Sequence, residues 1–326
     1  MRLDGMGDVL MTTPAMRAFR ETLGCRITLL TSPSGAALAD LLPEVDEVVA
    51  WKAAWMKPPT AARDDSRLIK RLKSFDAAAI FTVYSQSALP AAYLCYLAGI
   101  PRRLAHCREN PYQLLTDWVP DADPGPPVRH EVRRQLDLAA SVGCRTANER
   151  LSFQVKPSAR RFISGLHLPA PLVVVHPGAS AASRRYPPES YARALDMLGY
   201  EVVFTGDRSE VELVENLRRL ITVPSRSLAG RLRLGQLGAL IEAADLVISN
   251  NTGPVHIAAA VGTPVVDLYA LTNPQHTPWQ VESRVLFHDV PCRNCYKSVC
   301  PAGHHDCLRR VAPERVAHAA RELLAA

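Results

Sequence analysis

Hydrophobic residues fall into short β-branched runs, separated by longer stretches in which apolar positions recur every three or four residues. Arg26 to Thr31, Val45 to Trp51 and Ala77 to Thr82 are runs of the first kind in one half of the chain. Leu172 to His176, Glu201 to Thr205, Asp245 to Ser249 and Thr263 to Leu268 are their counterparts in the other. Each predicts a strand buried on both faces. Helical spacing predicts helices from Thr13-Pro14 to about Leu23, and over Ser66 to Phe75, Ser85 to Ala98 and Glu131 to Val142. It predicts others over Glu189 to Leu198, Glu210 to Leu220, Gln236 to Ala244 and Pro313 to Leu324. Strands alternating with helices imply parallel sheets covered on both sides. Glu149 to Val155 reads as a further strand running into a linker at Pro157 to Pro171, after which the alternation restarts. The expected fold class is α/β: two Rossmann-like domains with parallel sheets facing a central cleft. Residues 1–160 form the first domain, 161–311 the second, and 312–326 a C-terminal helix packing back on the first. Only three residues precede the turn Asp4 to Gly7, so the opening strand is very short or the chain starts at an internal methionine.

The stretch SNNTGPVHIAAAVGTPVVDLY, Ser249 to Tyr269, changes this from a fold to a site. A strand breaks into polar residues, a helix capped at Thr252 with Pro254 in its first turn follows, and a second strand begins at Thr263. Polar groups at a strand's carboxyl end, just before a helix N-terminus, suit a phosphate or a sugar. Asn250, Asn251 and His256 exceed what a single helix cap needs.

Two more strand-end loops have similar character. His176-Pro-Gly-Ala-Ser180 leads to Arg184 and Arg185: a glycine for close backbone approach, a hydroxyl and a charge, the components of a pyrophosphate site. Thr205-Gly206-Asp207 leads to Glu210, whose carboxylate suits a ribose hydroxyl or a helix N-terminus. At the other end of the chain, Gly5-Met6-Gly7 starts a dinucleotide fingerprint that Leu10 breaks, and no acidic residue ends the second strand. An NAD(P) oxidoreductase therefore loses support. What remains is Asp8 on a glycine-flanked turn, a candidate general base or a helix cap.

Composition adds limits. The 326 residues are 48% hydrophobic and 21% charged, as for a globular protein of two domains. Asp4 and Asp8 interrupt the apolar core that a secretory signal needs, and no run reaches the length of a membrane helix, so a cytoplasmic location is expected. A net charge of +6 favours an anionic partner. Aromatics are 6% of the chain and do not interleave with basic residues, so nucleic acid is not the expected partner. Cys25, Cys95, Cys107 and Cys144 read as small core residues. Cys292, Cys295, Cys300 and Cys307, with His304 and His305 among them, have the thiolate density of a structural zinc site, though not one of its commonest spacings. Asp121 and Asp123 form an Asp-X-Asp in a proline-rich loop, read as solvated charges.

GMGDVLMTTPAMRAFR, HPGAS followed by RRYPPESY, FTGDRSE and SNNTGPVHIAAAVGTP, in that order and spacing, resemble glycosyltransferase family nine, the heptosyltransferases of lipopolysaccharide core assembly. The resemblance runs from Met1 to about Val316. It implies a GT-B fold whose first domain binds the acceptor and whose second binds a nucleotide sugar, commonly an ADP-activated heptose. It places the catalytic base on Asp8, a hydroxyl contact to phosphate on Ser180, a cationic one on Arg184 and a nucleoside contact on Glu210. Asn251, Thr252, Gly253 and His256 become the loop for sugar and pyrophosphate. Arg184 stands where lysine is common, keeping the charge with a different geometry. Asn251 stands where an aspartate often meets the donor sugar. The basic segment Lys52, Lys57, Arg63, Arg67, Lys70, Arg71 and Lys73 corresponds to a region that meets an anionic lipid-linked acceptor, with Lys57, Arg63 and Arg67 as candidate contacts and a peripheral encounter with the inner membrane face implied. The expected reaction is an inverting transfer without a metal or other catalytic cofactor. The alternatives are the oxidoreductase and a sugar-nucleotide-binding protein without turnover.

Overall fold

The computed structural model describes residues 1–56, 65–121 and 127–326, and the chain divides into two compact units, Met1–Glu149 and Arg150–Ala326. In the first, β1 (Thr28–Thr31) pairs in parallel with β2 (Glu47–Ala50). Strands β3 (Ala77–Ile80), β4 (Arg102–Cys107) and β5 (Asp117–Pro120) form a second parallel set. Residues 1–3 tie the sets together. Arg2 bridges to Thr31 on one side and Phe81 on the other, its N–H donating to Leu30 O at 3.0 Å, while Phe81 N–H donates to Met1 O at 2.9 Å. Counted as the first strand, this segment gives the sheet the order 3-2-1-4-5-6 of a dinucleotide-type fold. The opening strand is very short, and central. Leu3 locks it down by packing with Leu30, Val49 and Ile80.

The second unit repeats the pattern. β6 (Val173–His176), β7 (Val202–Phe204), β8 (Ser225–Ser227), β9 (Leu246–Asn250), β10 (Val265–Leu268) and β11 (Ser283–Leu286) are ordered β11-β10-β9-β6-β7-β8, every pair parallel. In chain order this is again 3-2-1-4-5-6. The central strands β6, β9 and β10 are buried throughout, which is why they read so clearly as apolar runs.

Four expectations change. The first helix spans Met6–Leu23 and contains Pro14, which was read as its start. Proline cannot donate to Leu10 O, but Thr13 Oγ1 does so at 2.7 Å, so the missing bond is replaced from within the turn. The stretch 149–155 belongs to no strand: its alternating apolar residues Leu151, Phe153 and Val155 are buried, and Phe153 lies so close to Gly238 that a Cβ there would meet its ring at 2.0 Å. The expected linker contains a helix, Pro157–Ser164, whose Arg160 pairs with Glu242 at 2.6 and 2.7 Å. Finally, the C-terminal helix Pro313–Ala325 belongs to the second unit. Val316, Ala319, Ala320 and Leu323 join the core made by β10 and the helix Pro188–Leu198, each large side chain contributing about 1.5–3 kcal/mol through burial. Among the described residues no helix is long and apolar enough to cross a membrane.

Candidate active site

Asp8 occupies the third position of the first helix, and the turn before it leaves the carboxyl end of the central segment 1–3. Its Oδ2 accepts from Gly5 N–H at 3.0 Å and its Oδ1 lies 3.3 Å from Arg2 Nη2. Both contacts favour the ionised form and fix the carboxylate's direction. Arg2 is completely buried and holds three acids at once: Glu131 at 2.9 Å, Asp4 at 3.0 Å and Asp8. Gln86 Nε2 donates to Asp4 at 2.6 Å. Burial pushes the Asp4 carboxyl up to about 6 against the attraction of Arg2, with Asp8 and Glu131 adding repulsion. Behind this set, Arg134 pairs with Asp121 at 2.5 Å and donates to Thr82 O. Asp121 is thus bound to a guanidinium, not to solvent as its loop suggested; Asp123 lies outside the described residues.

In the second unit the strand order reverses between β6 and β9, the switch point where open α/β sheets bind ligands. His176 ends β6 opposite Ser249. Its Nδ1 is 3.0 Å from Thr205 Oγ1, its Nε2 is 3.7 Å from Glu210 Oε2, and burial lowers its imidazole to about 4, so the ring is neutral near pH 7. Gly178 lets the loop after β6 and the Glu210 carboxylate lie close together. A Cβ would fall 2.0 Å from Glu210 Oε1, so any larger residue would push that carboxylate away from the loop. Glu210 accepts from Asp207 N–H at 2.9 Å, and burial raises its carboxyl. Asp207 is the cap of that turn, accepting from Ser209 N–H at 2.7 Å and Glu210 N–H at 3.1 Å. Ser180 is exposed. Arg185 turns back to donate to Ala179 O at 2.7 Å, whereas the guanidinium of Arg184, a half-buried residue whose backbone N–H donates to Ala181 O at 3.0 Å, forms no hydrogen bond or ion pair with the described residues.

The loop after β9 enters the helix Gly253–Val261, with Thr252 as its N-cap residue, as expected, and Pro254 in its first turn. Thr252 and Gly253 are half-buried and His256 is buried. The two asparagines divide their work. Asn250 accepts from Tyr186 N–H at 3.0 Å and donates to Pro177 O at 2.7 Å, closing both ends of the loop that carries Ser180 and Arg184. It is a structural tie and not a ligand group. Asn251 donates both amide hydrogens inward, to Asp267 Oδ2 at 2.9 Å and His276 O at 3.0 Å.

Residues 66–305 match the sequence profile of glycosyltransferase family 9 (heptosyltransferase). The chain belongs to that family. It is 27% identical over 340 residues to lipopolysaccharide heptosyltransferase 2 of Escherichia coli K12, covering 98% of this chain and 96% of that protein. Its fold matches a family 9 glycosyl transferase from Veillonella parvula, with a TM-score of 0.80, 23% identity and 99% and 95% coverage. It also matches the E. coli ADP-heptose lipopolysaccharide heptosyltransferase II, with a TM-score of 0.75, 24% identity and 99% and 97% coverage. The fold class expected from sequence, α/β of GT-B type built on parallel sheets, is the one observed.

As a family 9 member the protein is a glycosyltransferase, which sets aside the oxidoreductase and the binding protein without turnover. Several residues of this glycosyltransferase escaped the sequence reading: Arg2, Asp4, Glu131, Asp267 and His276. An arginine inside a three-residue apolar segment and an aspartate inside Val-Val-Asp-Leu were the available signals. Of the basic segment, Lys57 and Arg63 lie outside the described residues; Arg67 is exposed on the helix Ser66–Leu72, and Arg71 pairs with Glu47 at 2.5 Å. Burial, and with it the charges of Cys300, Cys292 and Cys295, raises the Cys307 thiol, so the other three cysteines lie within electrostatic reach of it. Cys292 Sγ lies 3.6 Å from His304 Nε2 and all four cysteines are free, but among the described residues no three His, Cys, Asp or Glu side chains form a group able to hold a metal. Cys300 instead directs its sulfur to backbone N–H groups of residues 302–305.

Proposed function

We propose that this glycosyltransferase transfers a heptose, with inversion, from ADP-heptose to a lipopolysaccharide-core or related anionic glycan. The observation that carries the reading is the half-buried guanidinium of Arg184, unpaired among the described residues, on a loop at the switch point of a sheet whose next loop opens a helix. A diphosphate is the ligand that chemistry suits: a fork of donors for its oxygens and a helix N-terminus for its charge. Ser180 and the Thr252-Gly253 turn would add donors. Glu210, held by Asp207 N–H, would accept from the nucleoside's hydroxyls, and Asn251 and His256 would meet the sugar.

Asp8 supplies the base. Its carboxylate takes the acceptor hydroxyl's proton as that oxygen attacks the anomeric carbon, while the bond to the diphosphate breaks on the opposite side. Arg184 and the helix N-terminus stabilise the charge that develops on the leaving oxygen, so the reading gives a metal no part. Lys57, Arg63 and Arg67 would attract the anionic acceptor, bringing the protein to the inner membrane face without insertion. Support for donor and acceptor classes comes from the relatives' names and from the resemblance in the motifs. A transfer assay with ADP-heptose and truncated core oligosaccharides tests it. Turnover of UDP- or GDP-hexoses, with none of ADP-heptose, would overturn the assignment of donor.

A further inference from the structure

Asp267 sits on β10 with no exposed surface, in register with Ser249 of β9. A carboxyl so placed is costly unless its oxygens are satisfied. Only one is: Oδ2 accepts from Asn251 Nδ2 at 2.9 Å, while Oδ1 has no hydrogen-bond partner. Val266 and Leu268 on either side contribute ordinary core packing, so the strand itself has no need of an acid. The other acceptor facing Asn251 is the carbonyl oxygen of His276, at 3.0 Å. A backbone carbonyl can only accept, so the amide's NH2 must point towards it and Asp267 takes the second hydrogen. Asn251 Oδ1 is left turned away from both, with no partner among the described residues, in a residue that keeps 8% of its surface exposed.

We infer that Asp267 is a positioning residue for the donor sugar: it locks the Asn251 amide so that the carbonyl oxygen, and not the NH2, is offered to a sugar hydroxyl. This rests on Asn251 contacting the sugar, as proposed above. It resolves what an asparagine does where an aspartate often stands. With both hydrogens committed inward, Asn251 is an acceptor only, as a carboxylate would be, but without the charge. The loop thereby keeps its preference for a hydroxyl on the donor and adds no negative charge near a diphosphate.

Calorimetric titration with ADP and with ADP-heptose separates the sugar contact from the nucleotide contacts. Asp267→Ala should bind ADP within about twofold of wild type and ADP-heptose roughly fivefold to tenfold more weakly, the size of one lost hydrogen bond. Asp267→Asn, whose side-chain oxygen can accept the same bond, should stay near wild type. Asn251→Asp alone removes the amide hydrogens that hold the side chain to Asp267 and His276 O and sets its oxygens against that carbonyl, and should weaken ADP-heptose by more than about tenfold. The double variant Asn251→Asp with Asp267→Asn restores a donor–acceptor pair, and should recover at least roughly threefold of that loss. A residue that merely supported the fold would lower ADP and ADP-heptose binding alike and show no recovery. If Asp267→Ala binds both ligands as wild type does, or the double variant is no better than Asn251→Asp while ADP binding is intact, the inference is overturned. Should Asp267→Ala not fold, the comparison of Asn251→Asp with the double variant decides it. Failure of the wild type to bind ADP would overturn the donor-site reading, and this inference with it.

Discussion

Both units run their strands in the order 3-2-1-4-5-6, yet they equip the same position differently. In the first, the turn after the central segment carries Asp8 over a buried arginine that also holds Asp4 and Glu131. In the second, the loops after β6 and β9 carry neutral side chains, a helix N-terminus and one arginine that the protein leaves unpaired among its described residues. On the proposed reading the contrast follows from what each must meet. A base must be held anionic and aimed while it waits for a neutral hydroxyl, so its counter-charge is built in. A diphosphate brings its own charge, and a cation already neutralised by a carboxylate would offer it little.

Breaking the first arrangement should have the largest effect. Asp8→Asn removes the proton acceptor while keeping the size and, through its amide oxygen, an acceptor for Gly5 N–H. Turnover should fall by about 10²- to 10⁴-fold, with ADP affinity unchanged. Near-normal turnover in a steady-state assay would remove Asp8 from the mechanism. Arg2→Met tests the built-in charge itself. It leaves Asp4 and Glu131 buried without their shared cation, and urea unfolding should register a loss of about 3–5 kcal/mol. A loss below about 1 kcal/mol would mean that these acids pair elsewhere or protonate at little cost.

The same contrast governs what could be read from sequence. The loops at the switch point of the second unit are local: β9, Thr252 and the helix after it are contiguous, and burial of that unit's central strands on both faces makes them uninterrupted apolar runs. The acidic set around Arg2 is assembled from residues up to 129 positions apart, and nothing in the neighbourhood of Glu131 announces its partner. The edge strands of the second unit escaped for the reason its central ones were legible, turned about. β8 is Ser-Arg-Ser and β11 opens with Ser-Arg, because an edge needs ladder bonds but little apolar surface. Thr13-Pro14 misled because a threonine before a proline is a helix-start signal, whereas here the threonine repairs the bond that the proline omits. Asn250 and Asn251 looked equivalent in sequence; the bonds of Asn250 to Tyr186 N–H and Pro177 O separate a structural tie from the residue proposed to meet the sugar.

Sharpening the second arrangement needs smaller changes. Arg184→Ala should weaken ADP by about 1.5–3 kcal/mol, the range for a charge-assisted bond, with the fold's stability unaltered. An unchanged ADP affinity by calorimetry would move the diphosphate elsewhere. Asp267 offers a test by pH. Burial raises its carboxyl to about 8, above the 3.9 or so of an unfolded aspartate. Between those values the folded protein holds a proton that the unfolded chain has released, so the contribution to stability declines as pH rises through that window. Asp267→Asn lacks the decline. Its stability relative to wild type should therefore increase from pH 5 to pH 8, by more than about 1 kcal/mol in paired urea titrations. Asp4, raised to about 6, declines in both proteins alike and cancels. Parallel curves for the two proteins would show that burial does not raise the Asp267 carboxyl.

The smallest expected change is none, and it bears on how the second unit handles charge. If Arg184 and the N-terminus of the helix Gly253–Val261 together neutralise the leaving diphosphate, a divalent cation is redundant there. Transfer rates measured after dialysis against EDTA should stay within about twofold of the untreated enzyme, and added Mg²⁺ should not raise them. The Arg184→Ala variant provides the sharper half of the comparison. With the guanidinium gone, a cation can take over part of its work, so Mg²⁺ should restore some of the lost activity in the variant while leaving the wild type indifferent. A wild type silenced by EDTA and revived by Mg²⁺ would mean that the unpaired arginine shares the diphosphate with a metal, and that the contrast between the two units is one of partners and not of self-sufficiency.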